Sequence, residues 1–139
     1  MNTRALDPKE MGRIDLSGKV ALVNGASPGI GEAIARGLAG CGAQLVLSSR
    51  DRASVQSVAD SIRADGGEAI ARSCHAGRLD DVNALFESIG EAFGRLDILI
   101  NNAATNPWFG PAVDLPPEAF DKTVDVNLKG PYYMMARAI

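Results

Sequence analysis

Short apolar runs alternate along the chain with longer stretches in which apolar residues return at helical spacing. Lys19 to Asn24 is short, apolar and β-branched at intervals, which predicts a strand, and it ends at a cluster of glycines. Ile30, Ile34 and Leu38 then recur every four residues beside the small Ala33 and Gly37, predicting a helix that Gly40 and Gly42 stop. Gln44 to Ser49 reads as a second strand, with Leu45, Val46 and Leu47 consecutive, as expected where both faces are covered. Val55, Val58 and Ile62 mark a second helix ended by Gly66-Gly67, and Glu68 to Cys74 a weaker third strand. Val82, Leu85, Phe86, Ile89 and Phe93 line one face of a third helix that ends at Gly94, and Asp97 to Asn101 is the fourth strand. Pro116-Pro117 opens another helix, with Phe120, Val124 and Val126 facing inward. Gly130-Pro131 should kink or restart it, after which Tyr132, Met135, Ala136 and Ile139 recur along one face.

Strands alternating with helices imply an α/β fold, a parallel sheet with right-handed crossovers and helices on both faces. Ligands of such sheets sit beyond the carboxyl ends of the strands. The strand exits Gly25 to Gly31, Ser49-Arg50, His75-Ala76-Gly77 and Asn101 to Thr105 therefore converge on one rim. Among them the first turn stands out. Gly25, Gly29 and Gly31 lie within seven residues and lead straight into a helix, whose first N–H groups and positive dipole end suit a phosphate. No Lys-Ser/Thr pair follows to make it an ATP-type loop.

Composition narrows the partners. The 139 residues suit one compact domain or one part of a larger one, with 46% hydrophobic and 22% charged residues excluding disorder. Residues 1–16 mix charges with Pro8 and Gly12 without a sustained period, so a flexible leader is expected there and the folded domain over 17–139. A net charge of −3 and a sequence pI near 5.1 imply neither a nucleic acid nor a membrane surface as partner. No apolar run approaches a membrane span and the first residues are too polar for a secretory signal, so a cytoplasmic location is expected. Cys41 and Cys74 have no metal-ligand spacing and read as reduced, buried thiols; no metal site is expected.

Four motifs carry a family likeness. Asn24 to Gly31, the Ser48-Ser49-Arg50 exit, Asn101-Asn102-Ala103-Ala104 and Val126-Asn127-Leu128-Lys129-Gly130, in this order and at these separations, resemble the short-chain dehydrogenase/reductase family from about Leu16 onward. The resemblance implies a Rossmann-type parallel sheet, about four strands of it here, and a nicotinamide dinucleotide as ligand. Gly25, Gly29 and Gly31 would form the turn, with Ser27 and Ile30 contributing hydroxyl and N–H contacts to phosphates and ribose. Asn102, Ala103 and Ala104 would lie beside the nicotinamide ribose, where Ala104 replaces a usual Gly and narrows the approach. His75-Ala76 stand where the family often has Asp-Val facing the adenine, leaving His75 either an adenine contact or a packing residue. Asn24 stands where Thr is usual; either side chain can bond backbone of a neighbouring strand, so a structural role is expected.

The charge at the end of the second strand speaks to cofactor choice. Relatives that prefer NAD end that strand with an acid that accepts from the ribose 2′-hydroxyl. Here Ser49 and Arg50 can bond a 2′-phosphate instead, so NADP (NADPH) is favoured over NAD. Pro28, where many NADP-preferring relatives carry Arg, and the neighbouring Asp51 weigh the other way.

By the same resemblance Asn127 matches the catalytic Asn that holds a water in the proton relay. The family's Ser and Tyr-x3-Lys are absent, since the residues that close this spacing after Tyr132 and Tyr133 are Ala136 and Arg137, in the wrong helix. The expectation is therefore the cofactor-binding half of an oxidoreductase, a fragment or truncated product that is inactive alone, its full-length form a homo-oligomer acting on a small carbonyl or alcohol. Trp108-Phe109 would either wall the substrate pocket or cover the end of the sheet. Two alternatives stand beside this reading: a dinucleotide-binding module without catalysis, and a Rossmann-type methyltransferase.

Overall fold

The structure, a computed structural model, describes residues 14–139. Its strands are β1 (Val20–Asn24), β2 (Gln44–Ser49), β3 (Glu68–Ser73) and β4 (Ile98–Asn101), and its helices are α1 (Ile30–Gly40), α2 (Arg52–Ala64), α3 (Leu79–Phe93), α4 (Pro117–Val124) and α5 (Gly130–Ala138). The four strands form one parallel sheet in the order β3-β2-β1-β4, as the alternating pattern predicts. Leu22 sits opposite Val46 on one side and Leu99 on the other, so all exits open at the same rim.

Strand alternation divides the core. Ala21, Val23, Leu45 and Leu47 point into a cluster closed by Ala35 of α1 and Val55, Val58 and Ile62 of α2. Val20, Leu22 and Val46 point the other way, against Val82, Leu85 and Ile89 of α3 and Met134 of α5. The run of consecutive apolar residues in β2 is thus explained by burial on both faces. Two caps set the entry and exit of neighbouring helices: Asp51 Oδ1 accepts from the Ala53 and Ser54 N–H groups at the start of α2, and Gly94 ends α3 at a φ of 68°.

Several expectations need correction. Residues 1–13 of the expected leader lie outside the described residues, and Leu16 donates its N–H to the Cys41 carbonyl while packing on the first cluster. Asp97 precedes β4, where its carboxylate accepts the Val20 N–H at 2.9 Å and so ties the starts of the two strands. Cys41 is only half-buried, at the end of α1, whereas Cys74 is buried. Phe120, expected inside, is 55% exposed; Tyr132, Met135, Ala136 and Ile139 do share one face, which is turned outward, while Met134 enters the core. A π-helical turn, Asp125–Lys129, links α4 to α5 and adds a residue to the turn, so one uninterrupted helical period does not carry from α4 into α5.

Candidate functional site

A cleft of about 260 Å³ lies beyond the carboxyl ends of the strands. Its first wall is the glycine turn between β1 and α1, in which each glycine answers a different constraint. Gly25 adopts a φ of +87°, and a Cβ there would fall 2.6 Å from the Ala103 nitrogen. At Gly31 a Cβ would fall 2.0 Å from the Gly25 carbonyl oxygen, so the first turn of α1 packs directly on the backbone that precedes it. Gly29 has a φ of +127° with open space before it, and as N-cap it leaves the first N–H groups of α1 without a side-chain acceptor.

The turn is held from both sides. Gly25 and Ala26 donate their N–H groups to the Ser48 carbonyl of β2, and Asn102 Nδ2 donates to the Gly25 carbonyl at 2.8 Å. Asn24 bonds a side chain where backbone was expected: its Oδ1 accepts from the buried Ser48 hydroxyl at 3.0 Å. A polar pair inside the sheet is satisfied in this way, which burial demands. Glu32, in the first turn of α1, would oppose an anion there; its carboxylate is bonded by Arg36, which also reaches Ser61 and Asp65.

On the β2 and β3 side the cleft is lined by Ser49, Arg50, Cys74, His75 and Ala76. Among the described residues the Arg50 guanidinium has no carboxylate partner, and Asp51 is turned into the cap of α2. Burial pushes the Cys74 thiol up to about 12, with the charge of Asp81 adding to it, so this floor residue stays a neutral thiol. His75 accepts the Gly77 N–H at Nδ1, 3.1 Å away, and its backbone N–H donates to the Asp81 carboxylate at 2.9 Å.

The opposite end is built by β4 and the π-helical turn. Asn127 Oδ1 accepts the Thr105 N–H and its Nδ2 donates to the Thr105 carbonyl, both at 2.8 Å, clamping the loop after β4. Gly130 permits the helix to approach the β3 exit, since a Cβ there would lie 2.7 Å from the Ala76 carbonyl oxygen. Pro131 lacks an N–H, so the Asn127 carbonyl is denied the donor that an α-helix would give it. Lys129 bonds Asp125 at 2.8 Å, and this hydrogen bond, reinforced by the carboxylate's charge, raises its pKa. Ala104 needs no left-handed backbone, since no residue other than glycine has a positive φ among those described.

The cleft brings together Gly25, Ser27, Ile30, Gly31, Ser49, Arg50, His75, Ala76, Asn102, Ala103 and Ala104. Gly29 and Asn127 do not line it directly; Gly29 opens the turn and Asn127 acts on it through Thr105. Sequence reasoning passed over Cys74 and Val126 as lining residues, gave Asn24 only a structural role, and put Thr105 at the rim without naming it as a site residue. Trp108 lies against its own loop, with Nε1 donating to the Pro111 carbonyl at 3.3 Å and its ring beside Gly110, and neither it nor the 87% exposed Phe109 lines the cleft.

Known proteins resemble the chain in sequence and in fold. The family model described as short chain dehydrogenase matches residues 19–139. Human dehydrogenase/reductase SDR family member 4 is 41% identical over 122 residues, which are 88% of this chain and 44% of that protein. L-rhamnose 1-dehydrogenase (NAD(P)(+)) of Azotobacter vinelandii is 43% identical over 124 residues, 86% of this chain and 48% of that protein. A metagenomic short-chain oxidoreductase solved in complex with NADP superposes with a TM-score of 0.84 at 41% identity, covering 87% of this chain and 55% of that one. The chain spans about half the length of the curated relatives it matches.

Proposed function

The chain belongs to the short-chain dehydrogenase family, and on that premise we propose that it forms the dinucleotide-binding part of an oxidoreductase that prefers NADP(H) to NAD(H). Membership of this family sets the methyltransferase alternative aside. The residues present fit such a cofactor: a cradle left open at Gly29, the unoccupied N–H groups of α1, and hydroxyl and guanidinium donors at the end of β2. The observation that carries the preference is Arg50, a cation on the cleft without a carboxylate partner, next to an acid already engaged as a helix cap. The human relative, a dehydrogenase/reductase by name, supports the oxidoreductase, and the metagenomic relative, solved in complex with NADP, supports NADP as a ligand.

When bound, the nicotinamide supplies or takes the hydride. The chain's own part is to seat the phosphates on the glycine turn, to hold that turn through Ser48 and Asn102, and to fix the Thr105 loop through Asn127. No Tyr-x3-Lys occurs in these 139 residues, so the chain alone is expected to bind the cofactor without turning over a carbonyl or alcohol substrate. The outward face bearing Leu128, Tyr132 and Met135 supports a second copy of the chain as partner in the full-length form.

Titration calorimetry tests the proposal. NADPH should bind about tenfold or more tightly than NADH, and Arg50→Asp should erase or reverse that ratio by replacing a phosphate partner with a repelling charge. Equal affinities that the substitution leaves unchanged would refute the preference.

A further inference from the structure

Three polar groups of His75 hold the turn that leaves β3. Its backbone N–H donates to Asp81 Oδ2 of α3 at 2.9 Å, its carbonyl accepts the Arg78 N–H at 2.9 Å, and its ring Nδ1 accepts the Gly77 N–H at 3.1 Å. The last bond follows the pattern of an Asx turn, in which a side-chain acceptor takes the N–H two residues further on. The turn so fixed is the seat of the π-helical turn. A Cβ on Gly77 would lie 3.3 Å from the Asp125 carbonyl carbon, and one on Gly130 would lie 2.7 Å from the Ala76 carbonyl oxygen, so the two segments meet before and after Asn127. Asn127 is the residue that grips both backbone groups of Thr105.

We propose that His75 is a positioning residue for the far end of the cleft: by holding Gly77, its ring seats the π-helical turn so that Asn127 keeps its grip on Thr105. His75 and Thr105 both line the cleft, and the chain of contacts through Gly77, Asp125 and Asn127 joins them behind it. The inference rests on the reading of the cleft as a dinucleotide site only for what the grip serves, the seating of the nicotinamide half. A contact with the adenine would need the imidazole itself. Positioning needs only an acceptor where Nδ1 stands, and this difference separates the two uses of the residue.

Two measurements on the whole chain test the role. Amide hydrogen exchange followed by NMR reads the grip directly, at the Thr105 N–H. His75→Ala should speed that exchange about three- to tenfold while the Leu45 and Val46 amides of β2 keep their rates. His75→Asn restores an acceptor for the Gly77 N–H without the ring, and should return the Thr105 rate to within about twofold of the unsubstituted chain. Calorimetry then compares NADPH with adenosine 2′,5′-bisphosphate, which carries the adenine and the 2′-phosphate but no nicotinamide. His75→Ala should weaken NADPH about three- to tenfold and the bisphosphate by less than about twofold, with His75→Asn again recovering NADPH. An equal loss for both ligands that His75→Asn fails to recover would make the ring an adenine contact and overturn the positioning role. Thr105 exchange that His75→Ala leaves unchanged, or that quickens no more than exchange in β2, would overturn it too. Should the unsubstituted chain bind neither ligand, the dinucleotide reading falls, while the Thr105 rates still decide whether His75 positions the turn.

Discussion

β1 and β2 bury every apolar side chain they carry, whereas β4, built from the same kinds of residue, leaves Ile98, Leu99 and Ile100 only half-buried. The helical stretch beyond β4 continues the contrast, with Phe120, Leu128, Tyr132 and Met135 exposed while Ala119, Val126 and Met134 are inside. The cleft spans this divide. Its glycine turn stands on the closed side, clamped by Ser48, and is braced from the open side by Asn102. Its far end depends on a single amide, Asn127, gripping Thr105. The glycine turn is therefore mounted on the best-packed part of the molecule, and the Thr105 end of the cleft on the part with the least apolar cover.

The largest effect expected from breaking this contrast is Leu22→Ala. Leu22 is fully buried between β2 and β4, so truncation leaves a cavity as well as losing transfer free energy, and should cost about 2–5 kcal/mol of unfolding free energy. Urea denaturation followed by circular dichroism measures it. A loss below about 1 kcal/mol would mean that the closed side relaxes around the gap and is less tightly packed than its burial implies.

The same contrast explains what could be read from the sequence. Where both faces of a strand are covered, consecutive apolar residues such as Leu45-Val46-Leu47 reveal the strand, and glycines at its exit reveal the rim. The four strands, the first three helices and most cleft residues were legible on that basis. After Gly110 the helix opened at Pro117 and its restart at Gly130 were legible, but not which of the side chains face in, because apolar residues lie on two faces there and a π-helical turn interrupts the period. Periodicity drew Phe120 inward and paired Met135 with Tyr132, yet the core takes Ala119 and Met134. Hydrogen bonds were hidden for another reason. That Asn102 grips Gly25, or that Ser27 meets Ser49, depends on strands separated by many residues in the chain and adjacent only in the sheet.

Asp97 joins the two sides at the opposite edge of the sheet, and its titration offers a smaller probe. Hydrogen bonds from Arg95 first and from the Val20 N–H next, with the charges of Arg95 and Lys19, hold its carboxyl at about 2, below the ordinary 3.8. A depressed folded pKa means that the charged form favours folding. This contribution is fully present above the ordinary value of 3.8 and is lost as pH falls toward 2. Asp97→Asn should therefore lower stability at neutral pH and flatten the decline on acidification, with the two thermal unfolding profiles converging at the acid end. Parallel profiles for the two proteins would show that Asp97 does not couple the starts of β1 and β4 in this way.

The smallest effect is expected from the mirror image of the first substitution, Leu128→Ala. Leu128 has the same side chain as Leu22 but is 66% exposed, so little apolar area returns to water and no cavity forms. Alanine is also at least as good a helix former as leucine. In dilute solution the unfolding free energy should change by less than about 0.5 kcal/mol. A second measurement separates an idle exposed residue from one that meets a partner. If the outward face of Leu128, Tyr132 and Met135 docks onto another copy, sedimentation at rising concentration will show self-association that Leu128→Ala weakens, while dilute stability stays put. A dilute loss approaching that of Leu22→Ala would place Leu128 in a core, and the division between a closed and an open side would fail at the residue chosen to represent it.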